Sequence, residues 1–128
     1  VVIDSSAIMA IYLNEPDASI FISAILNDPT RLLSAATFVE ISAAALRRRT
    51  PDPIAAMDAI VSRFRLVVVP FDPEQALLAR DAYRRFGKGI HPAGLNLGDC
   101  FSYALAKQSG EPLLFKGNDF NQTDILKA

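Results

Sequence analysis

Four short aliphatic runs, separated by stretches of helical periodicity, restrict this chain more than any other feature. Val1-Val2-Ile3, Arg31-Leu32-Leu33-Ser34, Leu66-Val67-Val68-Val69 and Leu113-Leu114-Phe115 have the length and character of strands. Between them, helices are predicted from Ser5 to Asn14, Asp17 to Asp28, Thr37 to Arg49, Ile54 to Phe64, Pro73 to Phe86 and Leu97 to Gln108, punctuated by proline and glycine. Strands alternating with helices build a parallel sheet whose two faces are covered by helices, with right-handed connections. The unbroken run Leu66 to Val69 predicts a strand buried on both faces. Asp124-Ile125-Leu126 is expected to add an edge strand.

The expected fold is therefore α/β, a short and mainly parallel sheet flanked by helices, in one domain covering residues 1–128. With 51% hydrophobic and 21% charged residues and a net charge of -1, the chain is neither disordered nor a strongly basic duplex binder. Any nucleic-acid contact must come from local patches. Cys100 is the only cysteine, which excludes an internal disulfide and a thiolate zinc cage. No run reaches the ~18–20 apolar residues of a membrane span, and Asp4 interrupts the apolar start too early for a signal-peptide core. The expectation is a cytoplasmic protein without a membrane partner.

In parallel sheets, ligands bind beyond the carboxyl ends of the strands. Asp4 closes the first run, Glu40 lies early on the third helix, Asp99 starts the last helix and Asp119 follows the last run. These four acids can meet at one sheet edge, where a hard divalent cation would offset their repulsion.

Each acid also has a purely structural reading. Thr37-Phe38-Val39-Glu40 matches a capping box in which Glu40 returns to the Thr37 amide. Against it, Glu40 shares a helix face with Ala44 and Arg47, a small and a cationic neighbour. Asp4 fits a turn, with Ser5 or Ser6 capping the first helix. Asp99 lies in a first helical turn, where the dipole favours a carboxylate, with Asn96 as its N-cap. Gly117-Asn118-Asp119 fits a polar turn.

Cys100 and His91 invite a nucleophile-base reading, but a small buried core cysteine and a loop histidine are the simpler assignments. Arg47-Arg48-Arg49 and Arg84-Arg85-Lys88 lie at helix C-termini, where cations complement the dipole or contact phosphates.

Four segments together resemble the PIN-domain family, and more narrowly its VapC-type toxins, over nearly the whole chain. They are Val2-Ile3-Asp4-Ser5-Ser6, Ser34-Ala35-Ala36-Thr37-Phe38-Val39-Glu40, Leu95-Asn96-Leu97-Gly98-Asp99-Cys100-Phe101-Ser102-Tyr103-Ala104 and Leu113-Leu114-Phe115-Lys116-Gly117-Asn118-Asp119-Phe120. The resemblance implies a PIN-like three-layer sandwich and a metal-dependent endoribonuclease acting on RNA of the tRNA or rRNA class. Asp4, Glu40, Asp99 and Asp119 would be its catalytic acids, with Asp4 and Asp99 holding magnesium or manganese. Ser6 matches the family's hydroxyl beside the first acid, and Asn96 a polar residue before the Gly-Asp pair. Many PIN domains carry an acid two positions earlier in the last segment, where this chain has Gly117, so the fourth role falls to Asp119 by default.

Metal-activated water would attack phosphorus in line, while Arg47, Arg84 and Lys116 would contact RNA phosphates. A VapB-type antitoxin is the implied partner. The first two helices offer it Ile8, Ile11, Tyr12, Ile20, Phe21 and Ile25 as an apolar groove, in a homodimer or a toxin–antitoxin hetero-oligomer. The competing expectation is a non-catalytic acid-cluster binding or signalling domain. Receiver-type domains carry adjacent acids after the first strand, where Ser5-Ser6 stand here, and haloacid-dehalogenase-like phosphatases carry a second Asp at the position of Ser6.

Overall fold

The computed structural model describes residues 1–48 and 50–128. Four strands, β1 (Val2–Ile3), β2 (Leu32–Ser34), β3 (Val67–Val69) and β4 (Leu113–Leu114), form a parallel sheet in the order β3-β2-β1-β4. The helices are α1 (Ser5–Tyr12), α2 (Ala18–Asn27), α3 (Ala35–Leu46), α4 (Pro53–Arg63), α5 (Pro73–Phe86) and α6 (Leu97–Ser109), followed by a 3-10 turn over Asp119–Gln122.

The side-chain alternation of the strands divides the core into two layers. Val2 is in register with Leu32 and Leu113, and all three belong to a cluster with Ala82, Tyr103 and Phe120. Ile3 is in register with Leu114 and packs with Ile8, Ile25, Leu33, Ile41 and Phe64. Thus α5 and α6 cover one face, α1 to α4 the other, and the expected three-layer sandwich is what the residues build. The Arg31 guanidinium ties the C-terminal ends of α2 and α4 together, donating to the carbonyls of Leu26, Asp28 and Phe64.

Three local expectations are corrected. The run at Leu66 to Val69 forms an edge strand rather than one buried on both faces: β3 pairs only with β2, and Val67 is 57% exposed. Helix α3 begins at Ala35, because Ser34 takes the capping position and accepts from the Ala36 amide at 3.3 Å. Asp124-Ile125-Leu126 forms no strand; the tail touches β4 through a single parallel bridge between Leu113 and Lys127.

With α3 starting earlier, Thr37 turns inward instead of capping. Its hydroxyl and that of Ser102 on α6 lie 3.3 Å apart, both fully buried. This pair fixes the approach of α3 to α6. Thr37→Val should destabilise the protein by about 1–3 kcal/mol, because Ser102 is left without a partner, while the double variant Thr37→Val/Ser102→Ala should recover most of the loss. Urea denaturation of the three proteins measures both effects, and purely additive losses would show that the hydroxyls do not pair.

Candidate active site

Asp4 leaves the carboxyl end of β1 and caps α1, a place the sequence reading gave to Ser5 or Ser6. Its Oδ2 accepts from the Ser6 amide at 2.9 Å and from the Ser6 hydroxyl at 2.6 Å. The Ser6 hydroxyl oxygen in turn accepts from the Lys116 amide at 2.9 Å, stitching the end of β4 to the start of α1. One oxygen of a nearly inaccessible carboxylate is thereby held in place. The other, Oδ1, is buried and accepts nothing.

Asp99 stands in the first turn of α6, where it forms a capping box with Asn96. The Asp99 amide donates to Asn96 Oδ1 at 2.9 Å, and the Asn96 amide donates to Asp99 Oδ2 at 2.8 Å. The capping role and the site role are compatible, since the cap uses Oδ2 alone.

Glu40 is not part of a capping box with Thr37; α3 has already begun two residues before Thr37. Its Oε1 accepts from the Ser5 hydroxyl at 3.3 Å, and Oε2 is buried without a hydrogen-bond partner. Its carboxylate lies against Gly98 in the first turn of α6. Asp119 opens the 3-10 turn beyond β4 and is exposed.

The charges of Asp4, Glu40 and Asp119 all act on Asp99. Burial pushes Asp99 up to about 7, with the neighbouring charges of Asp4, Asp119 and Glu40 adding to the shift and the Asn96 amide opposing it. Burial, and then the Asp4 charge, also raise Glu40, against the Ser5 hydrogen bond. Carboxylates gathered this way, two with an unpartnered buried oxygen, match the preference of a hard cation for oxygen ligands. Among the described residues, no group of three or more acidic, histidine or cysteine side chains stands at a spacing that could hold a metal ion. Magnesium does not demand such a group, because it usually takes one or two carboxylates and keeps several waters.

The other candidates separate. Cys100 is buried and its thiol is pushed up to about 12 by burial, then by the Asp99 charge, so it is a core residue and not a nucleophile. His91 Nδ1 accepts from the Ala93 amide at 3.1 Å and the ring stands edge-on to Phe86. The Lys116 ammonium is paired with Glu15 and Asp17. Arg84 is open to solvent but pairs with Asp81 at 2.6 Å, and Arg47 is exposed just beyond α3. Arg49 lies outside the described residues.

The expected groove is also redrawn. Ile8, Phe21 and Ile25 are core residues, whereas Ile11 and Tyr12 line a cleft of about 570 Å³ with Ile22, Ile60 and Phe64. Ile20 is exposed outside that lining. The sequence reading missed Ser5 as the partner of Glu40 and Gly98 as its neighbour; a glycine in the first turn of a well-capped helix was the available signal.

The family model described as PIN domain matches residues 1–126. A Mycolicibacterium smegmatis protein named Ribonuclease VapC is 50% identical over 125 residues, covering 97% of this chain and 96% of the relative. Among solved structures, Mycobacterium tuberculosis VapC20, described as a sarcin-ricin loop cleaving toxin, superposes with a TM-score of 0.77 at 16% identity, covering 98% of this chain and 96% of that one. A toxin–antitoxin complex from Klebsiella pneumoniae gives 0.72 at 13% identity, with 98% and 94% covered. By family model, sequence and fold, this chain belongs to the PIN domain family.

Proposed function

We propose that this chain is a VapC-type endoribonuclease toxin whose activity requires a divalent cation, magnesium or manganese, at the acid cluster. One observation carries the metal requirement: Asp4 Oδ1 and Glu40 Oε2 are buried acidic oxygens without hydrogen bonds, close enough to Asp99 for their charges to raise its pKa. Burying carboxylates without compensation is costly, and a cation supplies the compensation. The 50% identical relative named Ribonuclease VapC supports the nuclease assignment.

Asp4 and Asp99 would hold the ion. When bound, the ion polarises a phosphodiester and makes a coordinated water more acidic. From α3, Glu40 would share the ion or orient the attacking water. Ser6 keeps Asp4 from rotating, Asn96 does the same for Asp99, and exposed Asp119 sits at the rim. Arg47 and Arg84 contact phosphates of a structured RNA in the cytoplasm, the tRNA or rRNA class.

Purified protein should cleave loop-containing RNA with magnesium or manganese and stop when the ions are chelated. Asp4→Asn and Asp99→Asn should each lower cleavage at least about 100-fold, with a metal-free Tm that holds or rises as repulsion is relieved. Undiminished cleavage in excess chelator would refute the metal requirement.

The cleft between α1 and α4 suits an apolar helix of an antitoxin, in keeping with the toxin–antitoxin complex among the structural neighbours. A basic residue of that partner satisfies the same acids as the cation does. The toxin then exists as a homodimer or as a hetero-oligomer with the antitoxin. Hydrogen exchange on the co-expressed pair should show protection at Ile11, Tyr12 and Ile60 together with loss of cleavage; protection confined to α5 and α6 would place the antitoxin elsewhere.

A further inference from the structure

Gly98 occupies the second position of α6, between Leu97 and Asp99, in a helix whose N-terminus is otherwise well specified by the Asn96–Asp99 capping box. Glycine is a poorer helix former than alanine. The backbone does not require it, since the residues of left-handed φ in this region are Gly89 and Gly94 and Gly98 is not among them. The requirement is space. A Cβ built on Gly98 would stand 2.6 Å from both Cδ and Oε2 of Glu40 and closer still to Oε1; these three atoms are its nearest neighbours. A contact under about 3.0 Å cannot persist, so either the helix or the carboxylate must move.

The carboxylate is the end of a flexible side chain, held by one long hydrogen bond from Ser5 at 3.3 Å. The α6 turn is held by two shorter bonds of its cap, at 2.8 and 2.9 Å. The side chain therefore yields first. We infer that Gly98 is a positioning residue: its missing side chain is the seat that lets the Glu40 carboxylate lie on the first turn of α6 beside Asp99. The inference rests on Glu40 belonging to the metal site proposed above.

This seat joins two helices that no shared hydrogen bond links at the acids themselves. Glu40 comes from α3 and Asp99 from α6, and Thr37 with Ser102 sets the spacing of those helices one turn further from the site. At that spacing, a methyl group at position 98 would occupy the volume the carboxylate now fills.

The test is a set of four proteins, wild type, Gly98→Ala, Glu40→Ala and the double variant, plus Gly98→Ala/Glu40→Asp. In metal-free buffer, Gly98→Ala should melt no lower than wild type, because alanine favours the helix and only a mobile carboxylate is displaced. Its Mn²⁺ affinity, measured by calorimetry, and its RNA cleavage should nonetheless fall by about the same factor as in Glu40→Ala. The double variant should be no worse than Glu40→Ala alone, and the shorter Asp at position 40 should restore part of the Mn²⁺ affinity that Gly98→Ala loses. Losses that multiply in the double variant, wild-type affinity in Gly98→Ala, or its failure to fold would each overturn the seat. If Glu40→Ala binds Mn²⁺ as wild type does, the failure lies instead with the proposed role of Glu40.

Discussion

The structure is organised around the burial of negative charge at one edge of a small parallel sheet. Asp4 is almost completely inaccessible, Asp99 is 6% exposed, and the Glu40 carboxylate is enclosed between α1 and α6. Charges of one sign are desolvated and brought together, and each effect disfavours the ionised state. The cap hydrogen bonds compensate one oxygen of Asp4 and one of Asp99. Asp4 Oδ1 and Glu40 Oε2 remain uncompensated among the described residues, and a cation bound there, as proposed, would compensate them.

The scaffold explains how such a cluster is tolerated. β1 is one of the two internal strands, flanked by β2 and β4, and both its residues are fully buried, so Asp4 is carried by an enclosed strand. The Ser6 hydroxyl donates to Asp4 and accepts from the Lys116 amide, locking the ends of β1 and β4 to each other. On the other side, Asp99 projects from a helix N-terminus, where the partial positive charge of the dipole partly offsets its own charge. Rigid placement of this kind preorganises a site before any ligand arrives.

The layer architecture was legible from the alternation of short aliphatic runs with helical segments, because a strand's side-chain period of two sends Val2 and Ile3 to opposite cores. Asp4, Asp99 and Asp119 were legible as residues that follow strands or open helices. The edge position of β3 was not, since an apolar run such as Leu66 to Val69 carries no mark of how many neighbours its strand will have. Glu40 was ambiguous for a similar reason. Thr37-Phe38-Val39-Glu40 is a valid capping box in isolation, and only the competing cap at Ser34 moved Thr37 into the core. The Lys116 pairing with Glu15 and Asp17, a hundred residues distant in sequence, lay beyond any local pattern.

The central claim is that this cluster is held ionised by a divalent cation, and the pH dependence of stability tests it most directly. Asp99 has a folded-state pKa of about 7 against an ordinary value of 3.8, so between those values the folded protein binds more protons than the unfolded chain. The contribution of Asp99 to the stability of the metal-free protein then falls as pH rises from about 4 through 7, and above pH 5 the carboxylates of lowered pKa, such as Asp124, are ionised in both states and oppose it little. A cation binding the deprotonated cluster would stabilise the folded state most at the high end of that range. The measurement is Tm from pH 5 to pH 8, with chelator and with magnesium. The expected result is a Tm that declines with pH in chelator and a decline that is abolished or reversed by magnesium. An identical decline in both buffers would contradict the account.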